Sequence, residues 1–210
     1  MSSDLRPKQQ RSQLTHDKFL LALQNALADK YFEHISIKEL AKGAGVSVGT
    51  FYRRFENKEA LLPLLYDDFG LQLEQWVNQV EVMPCESLVE QVAMVSQQTA
   101  TFLLARKSVF RTIHLNSRLH TETLFADPSN DRKHVYQRIA ALLLAKMTTD
   151  TPNEKQLNAA NMAVFMLVNG ILDQILYPHI TPAIACQVPL EDYLNQLIEM
   201  ICAYLAIHSH

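Results

Sequence analysis

Glycine is scarce in this 210-residue chain, with five in all, and turns that need a positive φ are correspondingly few. Few stretches alternate strictly between apolar and polar residues. Together these absences leave little room for β-structure and point to an all-α protein. Cysteine is almost missing as well. Cys85, Cys186 and Cys202 lie far apart with no C-x-x-C pair, so reduced thiols are expected rather than a disulfide or zinc framework. The N-terminal MSSDLRPKQQRS carries no apolar run and does not read as a signal peptide. Ala163 to Tyr177, the most apolar segment, is interrupted by Asn169, Gly170 and Asp173 and is too short to span a bilayer. No Gly-rich phosphate loop and no Ser/His/Asp or Cys/His arrangement can be recognised. His114 and His120 are six apart and do not share a helix face at metal-ligand spacing. The expectation is a soluble, cytoplasmic protein that is not an enzyme, with no metal, no cofactor and no membrane partner.

What is present is a core and an uneven charge. Apolar residues make up 48% of the chain and charged residues 20%, enough for a packed interior. The net charge of −3 conceals an asymmetry. Residues 1–58 hold ten Lys/Arg against six Asp/Glu, while residues 59–210 hold nine against sixteen. A basic head on an acidic body suggests that only the head faces polyanions.

Hydrophobic periodicity divides the rest into helices. The first is expected to begin near Ser12–Thr15, with Phe19, Leu23, Ala26 and Leu27 as its stripe, behind a mobile basic arm over 1–12. Tyr31 and Phe32 are expected to plug the corner that follows. A helix capped by Asn57 should run to about Val82 on the stripe Leu61, Leu65, Phe69, Leu73, Trp76 and Val80, bent in its second turn by Pro63. Further helices are expected over Glu86–Ala105, Lys107–Leu115, Arg118–Phe125, Arg132–Met147, Glu154–Leu176 and Leu190–Ile207. Glu154–Leu176 is apolar nearly all round, which implies burial on more than one side.

The stretch Ile35 to Phe55, ISIKELAKGAGVSVGTFYRRF, organises the head. Ser36 and Glu39 fit a capping box that starts one helix, reaching to Ala44. Gly45 makes the turn, and Ser47 caps a second helix from Val48 to Phe55. Ile37, Leu40, Ala41, Val46, Phe51 and Phe55 would close a small core. Lys38, Thr50, Tyr52, Arg53 and Arg54 stay outside as donors, the arrangement by which a helix-turn-helix meets DNA.

Residues 15–62, and above all the string G-V-S-x-G-T-F-Y-x-x-F-x-x-K-E-A-L from Gly45 to Leu61, resemble the DNA-binding head of the TetR/AcrR family of transcriptional regulators. The resemblance implies a three-helix head, residues 1–57, followed by a larger helical-bundle domain, 58–210, that binds an effector and dimerises. It implies that Thr50 and Tyr52 donate hydroxyls to phosphates and that Lys58 pairs with another. Lys38, Val48, Gly49 and Arg53 match positions facing the major groove. Arg53 is the best candidate to bridge the two acceptors of guanine, and Arg54 could serve either role. Ser36 and Ser47, at the two helix starts, complete the DNA-facing set. The sequence departs from the family at Val48, where Lys is frequent, at Ile35, where Thr is, and at Tyr31, where Gly usually turns the chain.

In the body, Phe69, Trp76, Phe102, Phe110, His114, Tyr136, Phe165 and Asn169 mix aromatic faces with a few polar handles, as ligand cavities do, although ordinary core packing explains each one equally well. The last two long helices are the expected dimer interface, two from each subunit making a four-helix bundle. The reading is a homodimeric repressor released from a pseudo-palindromic, double-stranded operator by a small-molecule effector. Its alternatives are a constitutive dimeric DNA-binding protein without effector, and a helical enzyme or interaction module with a degenerate head.

Overall fold

A computed structural model describes residues 8–119, 132–147 and 151–209, with side chains from residue 13 onward. Among these residues every regular element is a helix. In chain order they are α1 (Lys8–Asp29), α2 (Ile37–Gly43), α3 (Val48–Tyr52), α4 (Leu62–Glu81), α5 (Leu88–Ala105), α6 (Lys107–Leu119), α7 (Lys133–Met147), α8 (Glu154–Leu176) and α9 (Leu190–Ile207), with single 3₁₀ turns at Phe32–His34, Lys58–Leu61 and Pro182–Ala185. The three cysteines are free thiols.

Two compact units make up the chain. One contains the described residues up to Phe69 and those from Ser108 to the end of α6; the other contains Gly70–Lys107 and the described residues from 132 onward. In the first, Phe19, Leu23 and Leu27 of α1 are fully buried, and Phe19 sets its edge against Phe51 and Phe55 at 5.2 and 5.6 Å. Edge-to-face packing of this kind adds to the area these rings bury. In the second unit α5, α7, α8 and α9 pack on one another. Arg138 of α7 reaches three side chains of α4, donating to Glu74 Oε2 at 2.9 Å, Asn78 Oδ1 at 2.6 Å and Glu81 Oε1 at 2.7 Å. The stripe Leu61, Leu65, Phe69, Leu73, Trp76 and Val80 is buried throughout.

Several expectations change. α1 begins at Lys8, so residues 8–12 are helix and not arm; Lys, Gln and Arg extend a helix at little cost even without apolar partners. Residues 1–7 lie outside the described residues. Tyr31 does not plug its corner: it is 47% exposed, and Phe32 alone is buried there. Pro63 does not bend a helix, because Lys58–Leu61 is a 3₁₀ turn and α4 starts at Leu62. That puts Pro63 in the first turn, where a missing N–H costs nothing. α6 runs on to Leu119, through the Arg118 at which a separate helix was expected; residues 120–131 lie outside the described residues.

The largest revision concerns α8. By length and composition it could cross a membrane, yet 44% of its apolar window is buried in the helical unit. One side, from Ala159 to Leu176, is buried against its neighbours, while Leu157, Met162, Phe165 and Met166 stand exposed. The chain alone therefore buries one side of a helix whose sequence asks for two.

Candidate nucleic-acid interface

The helix pair is built by short-range hydrogen bonds that the sequence announces. Ser36 Oγ accepts from Glu39 N at 3.2 Å while the Glu39 carboxylate accepts from Ser36 N at 3.0 Å, closing the capping box of α2. Gly45 has φ +67°, the left-handed conformation that L side chains rarely adopt. Ser47 Oγ accepts from Thr50 N at 3.2 Å and starts α3. α3 closes at Tyr52, earlier than Phe55, because Arg53 and Arg54 offer no apolar face while Phe55 turns back into the core with Phe51.

Glu39 also pairs with Lys30. The Lys30 hydrogen bond, followed by those from Ser36, lowers the Glu39 carboxyl pKa from 4.5 to about 2. A depressed carboxyl contributes stability above its unfolded value and loses it as pH falls through the folded one. The head of the wild type is therefore expected to lose stability between about pH 5 and pH 2, and Glu39→Gln should flatten that part of a Tm-against-pH curve. Glu39 is fully exposed, so raised salt should shrink the difference.

The surface of the pair carries the expected donors. Lys38, Gly49, Tyr52, Arg53 and Arg54 are exposed, as are Ser36, Ser47 and Val48, and Thr50 is half-buried. Tyr52 is 58% exposed, and its ring makes a T-shaped contact with Phe51 at 5.7 Å. Arg53 Nη2 donates to Thr50 Oγ1 at 3.0 Å, and Thr50 Oγ1 lies 3.0 Å from Ser47 Oγ. This chain of contacts holds the guanidinium on the outer side of α3, which lowers the entropy lost when it engages a planar acceptor pair.

Lys58 is placed differently from its expected phosphate role. Its ammonium donates to three carbonyls, Phe32 O at 3.0 Å, Glu33 O at 2.8 Å and Ile35 O at 3.3 Å, and lies 4.9 Å from the Phe32 ring centroid. All three N–H donors are thereby occupied within the head, tying the turn after α1 to the turn before α4. Lys58→Met is expected to lower stability by about 1–3 kcal/mol, because charge-assisted bonds to three carbonyls are lost. The slope of log Kd against log salt for DNA should stay unchanged, whereas loss of a phosphate contact would reduce it by about 1 per head.

The residues expected to line a cavity are distributed over both units. Phe69 meets Phe110 at 5.0 Å in the first unit, and Trp76 meets Phe102 at 5.3 Å in the second. Phe165 and Asn169 stand on the exposed face of α8, with Asn169 Nδ2 returned to Phe165 O at 2.8 Å. His114 is engaged by Arg118, which also donates to its carbonyl. Tyr136 is partly exposed, although burial still pushes its phenol pKa up against the opposing pull of Arg132. Two polar residues of the interior, Gln91 and Thr99, were not among the expected site residues. Both are buried with a polar atom left unpaired among the described residues. Their spacing around Val95, four residues each way, is the signal that marks them as inward-facing. Arg111 of α6 is a further unforeseen contact, its guanidinium 4.0 Å over the Tyr31 ring.

Comparison with known proteins agrees with this geometry. Residues 24–65 match the family described as bacterial regulatory proteins, tetR family. The HTH-type transcriptional regulator EthR of Mycolicibacterium smegmatis is 43% identical over 68 residues, 32% of this chain and 31% of that protein. An uncharacterized HTH-type transcriptional regulator of Haemophilus influenzae is 34% identical over 58 residues, 28% of each chain. The chain thus matches only about three tenths of the length of these relatives. Among solved structures, a tetR-family regulator from Streptomyces coelicolor superposes with a TM-score of 0.63 at 17% identity, over 97% of this chain and 84% of that one. FadR from Bacillus subtilis, solved in complex with stearoyl-CoA, superposes with a TM-score of 0.57 at 17% identity, over 89% and 97%. At such identities the likeness is one of fold.

Proposed function

Residues 24–65 form a helix-turn-helix head of the tetR family on a chain with the all-helical fold of TetR-family transcriptional regulators, and from this we propose a homodimeric, ligand-released repressor. Residues 1–57 hold DNA, and residues 58–210 bind the effector and dimerise. The observation that carries the reading is the outer side of the helix pair, where Lys38, Tyr52, Arg53 and Arg54 stand exposed on two capped helices. Thr50 and Tyr52 position the head on phosphates, Arg53 reads a base with Lys38 beside it, and Val48 meets a thymine methyl.

One head buries too little surface for tight specific binding, so two are required. The exposed apolar face of α8 supplies the second reason for a dimer. Leu157, Met162, Phe165 and Met166 are exposed on α8 and Met200 and Ile207 on the neighbouring α9, and an open cleft of about 670 Å³ is lined by Met162, Tyr204 and His208. Exposed apolar residues grouped on two neighbouring helices mark an interface. Gly170 of α8 faces Tyr193 of α9, whose hydroxyl would have to move aside for a Cβ at that position.

Ligand release follows if an effector binds the helical unit better in a state unable to hold DNA. α4 gives its first residues to the unit containing the head and the remainder to the helical unit, so a single helix belongs to both. The stearoyl-CoA bound to FadR supports small-molecule recognition by a body of this fold. The test is operator binding by the purified protein to the DNA flanking its own gene, at low salt and with footprinting. Two protected half-sites one helical turn or a multiple apart are expected. A folded dimer that binds no sequence better than random DNA would overturn the proposal.

A further inference from the structure

The interior of the helical unit carries three donors that no acceptor answers among the described residues: Trp76 Nε1, Gln91 Nε2 and the Thr99 hydroxyl. The three residues are 8%, 4% and 4% exposed. Buried polar atoms without partners are rare, and each costs stability in the chain that carries it. Thr99 is the clearest case, because its neighbours show what a helical hydroxyl ordinarily does. Ser96 returns its hydroxyl to Val92 O at 2.7 Å, Thr101 to Gln97 O at 2.9 Å and Thr112 to Ser108 O at 3.0 Å. Thr99 makes no such bond, and its hydroxyl is left in the interior.

The three donors have a defined spacing. Trp76 lies against Phe102 at 5.3 Å, and Thr99, buried like Phe102, stands three residues before it on α5. Gln91 lies eight residues before Thr99 on the stripe that passes through Val95, roughly 12 Å along the helix axis. Among the described residues no Lys, Arg, Asp or Glu is buried. Arg106, the cation at the Phe102 end, is committed: it lies 4.2 Å over that ring and donates Nε to Gln72 Oε1 at 2.5 Å. A carboxylate brought into this interior would be desolvated without a cation to meet it.

We propose that Trp76, Thr99 and Gln91 are the polar handles of the effector site, and that the effector is an elongated, uncharged, mostly apolar molecule with oxygen acceptors at two points roughly 12 Å apart. The assignment rests on the ligand-released reading above and names the chemistry of its ligand. The donors would exchange no acceptor for an oxygen acceptor on binding, which gives the ligand a gain that an alkane of the same shape cannot have.

Trp76 is the single tryptophan of the chain, so its emission reports the site directly. The probes are a straight-chain aliphatic diketone with carbonyls at the matching spacing, the alkane of the same length, and the corresponding dicarboxylate. The diketone is expected to shift the emission and bind at least about tenfold tighter than either control. Thr99→Val and Gln91→Met should each weaken diketone binding by about tenfold. Without ligand, the same variants should have a Tm equal to the wild type or up to about 4 °C higher, because an unanswered donor has been removed. A diketone that fails to bind, or binds no better than the alkane or the dicarboxylate, overturns the proposal. So does a lower Tm in both variants, which would make the donors part of the fold. Operator binding by the variants without ligand separates the two levels. If it is retained, only the ligand chemistry falls; if neither variant nor wild type binds an operator, the regulator reading itself fails.

Discussion

Phe165→Asp is expected to turn the protein into a monomer at micromolar concentration and to weaken operator binding by roughly 10²–10⁴-fold. Phe165 is 60% exposed in the single chain, between Met162 and Met166 on the outer face of α8. A carboxylate there removes nothing from the core, so helix content and Tm should change little in the monomer itself. In a dimer the same carboxylate would be buried beside apolar side chains with no cation, a placement that is strongly unfavourable. The loss of operator affinity follows from the loss of the second head. When two heads are linked, the second binds at an effective concentration set by the dimer, and without it only the single-head affinity remains. Sedimentation and a gel-shift titration on the same preparation check both parts. A variant that stays dimeric would move the interface off this face of α8, and a monomer with full operator affinity would remove the need for two heads.

On the proposed reading, Arg53→Ala and Tyr52→Phe separate base reading from phosphate positioning. Loss of a bidentate guanidinium contact is expected to cost about 1–3 kcal/mol per half-site and to relax preference at one base pair. Removing the Tyr52 hydroxyl should cost about 0.5–1.5 kcal/mol on every sequence alike, the value of one hydrogen bond. The fold should tolerate both. Arg53 is exposed and its guanidinium bonds to Thr50 on the same helix turn, and the Tyr52 ring keeps its place against Phe51 without the hydroxyl. Competition of each variant against a set of single-base operator changes gives the result. Equal, sequence-independent losses would take base reading away from Arg53 and leave Lys38 as the next candidate.

Lys58 separates what a motif places from what only packing supplies. A lysine at the start of the fourth helical segment resembles a phosphate ligand, and its position was legible. Its partners were not, because the three carbonyls it bonds come from Phe32, Glu33 and Ile35, more than twenty residues earlier. Pro63 is a comparable case. Its place in a helix was legible, but whether it stood in the second turn or the first depended on how the Lys58–Leu61 turn closed.

Features that rest on neighbours within about four residues were legible in the amino-acid order. Ser36 with Glu39, Gly45, Ser47 and Asn57 placed the caps and the turn, and the apolar periods placed α5, α7, α8 and α9 to within two residues. These signals are local hydrogen bonds and helical repeats, which a chain carries without knowing its fold. The tertiary structure decided which sides of those helices are covered. A helix apolar nearly all round can be buried on two sides by its own chain or on one side by its own chain and on the other by a partner, and periodicity is the same in both cases. Only packing shows that Phe165 and Met162 face outward while Thr99, Gln91 and Trp76 face inward with donors unanswered. Burial is a property of what lies opposite, and what lies opposite comes from distant parts of the chain.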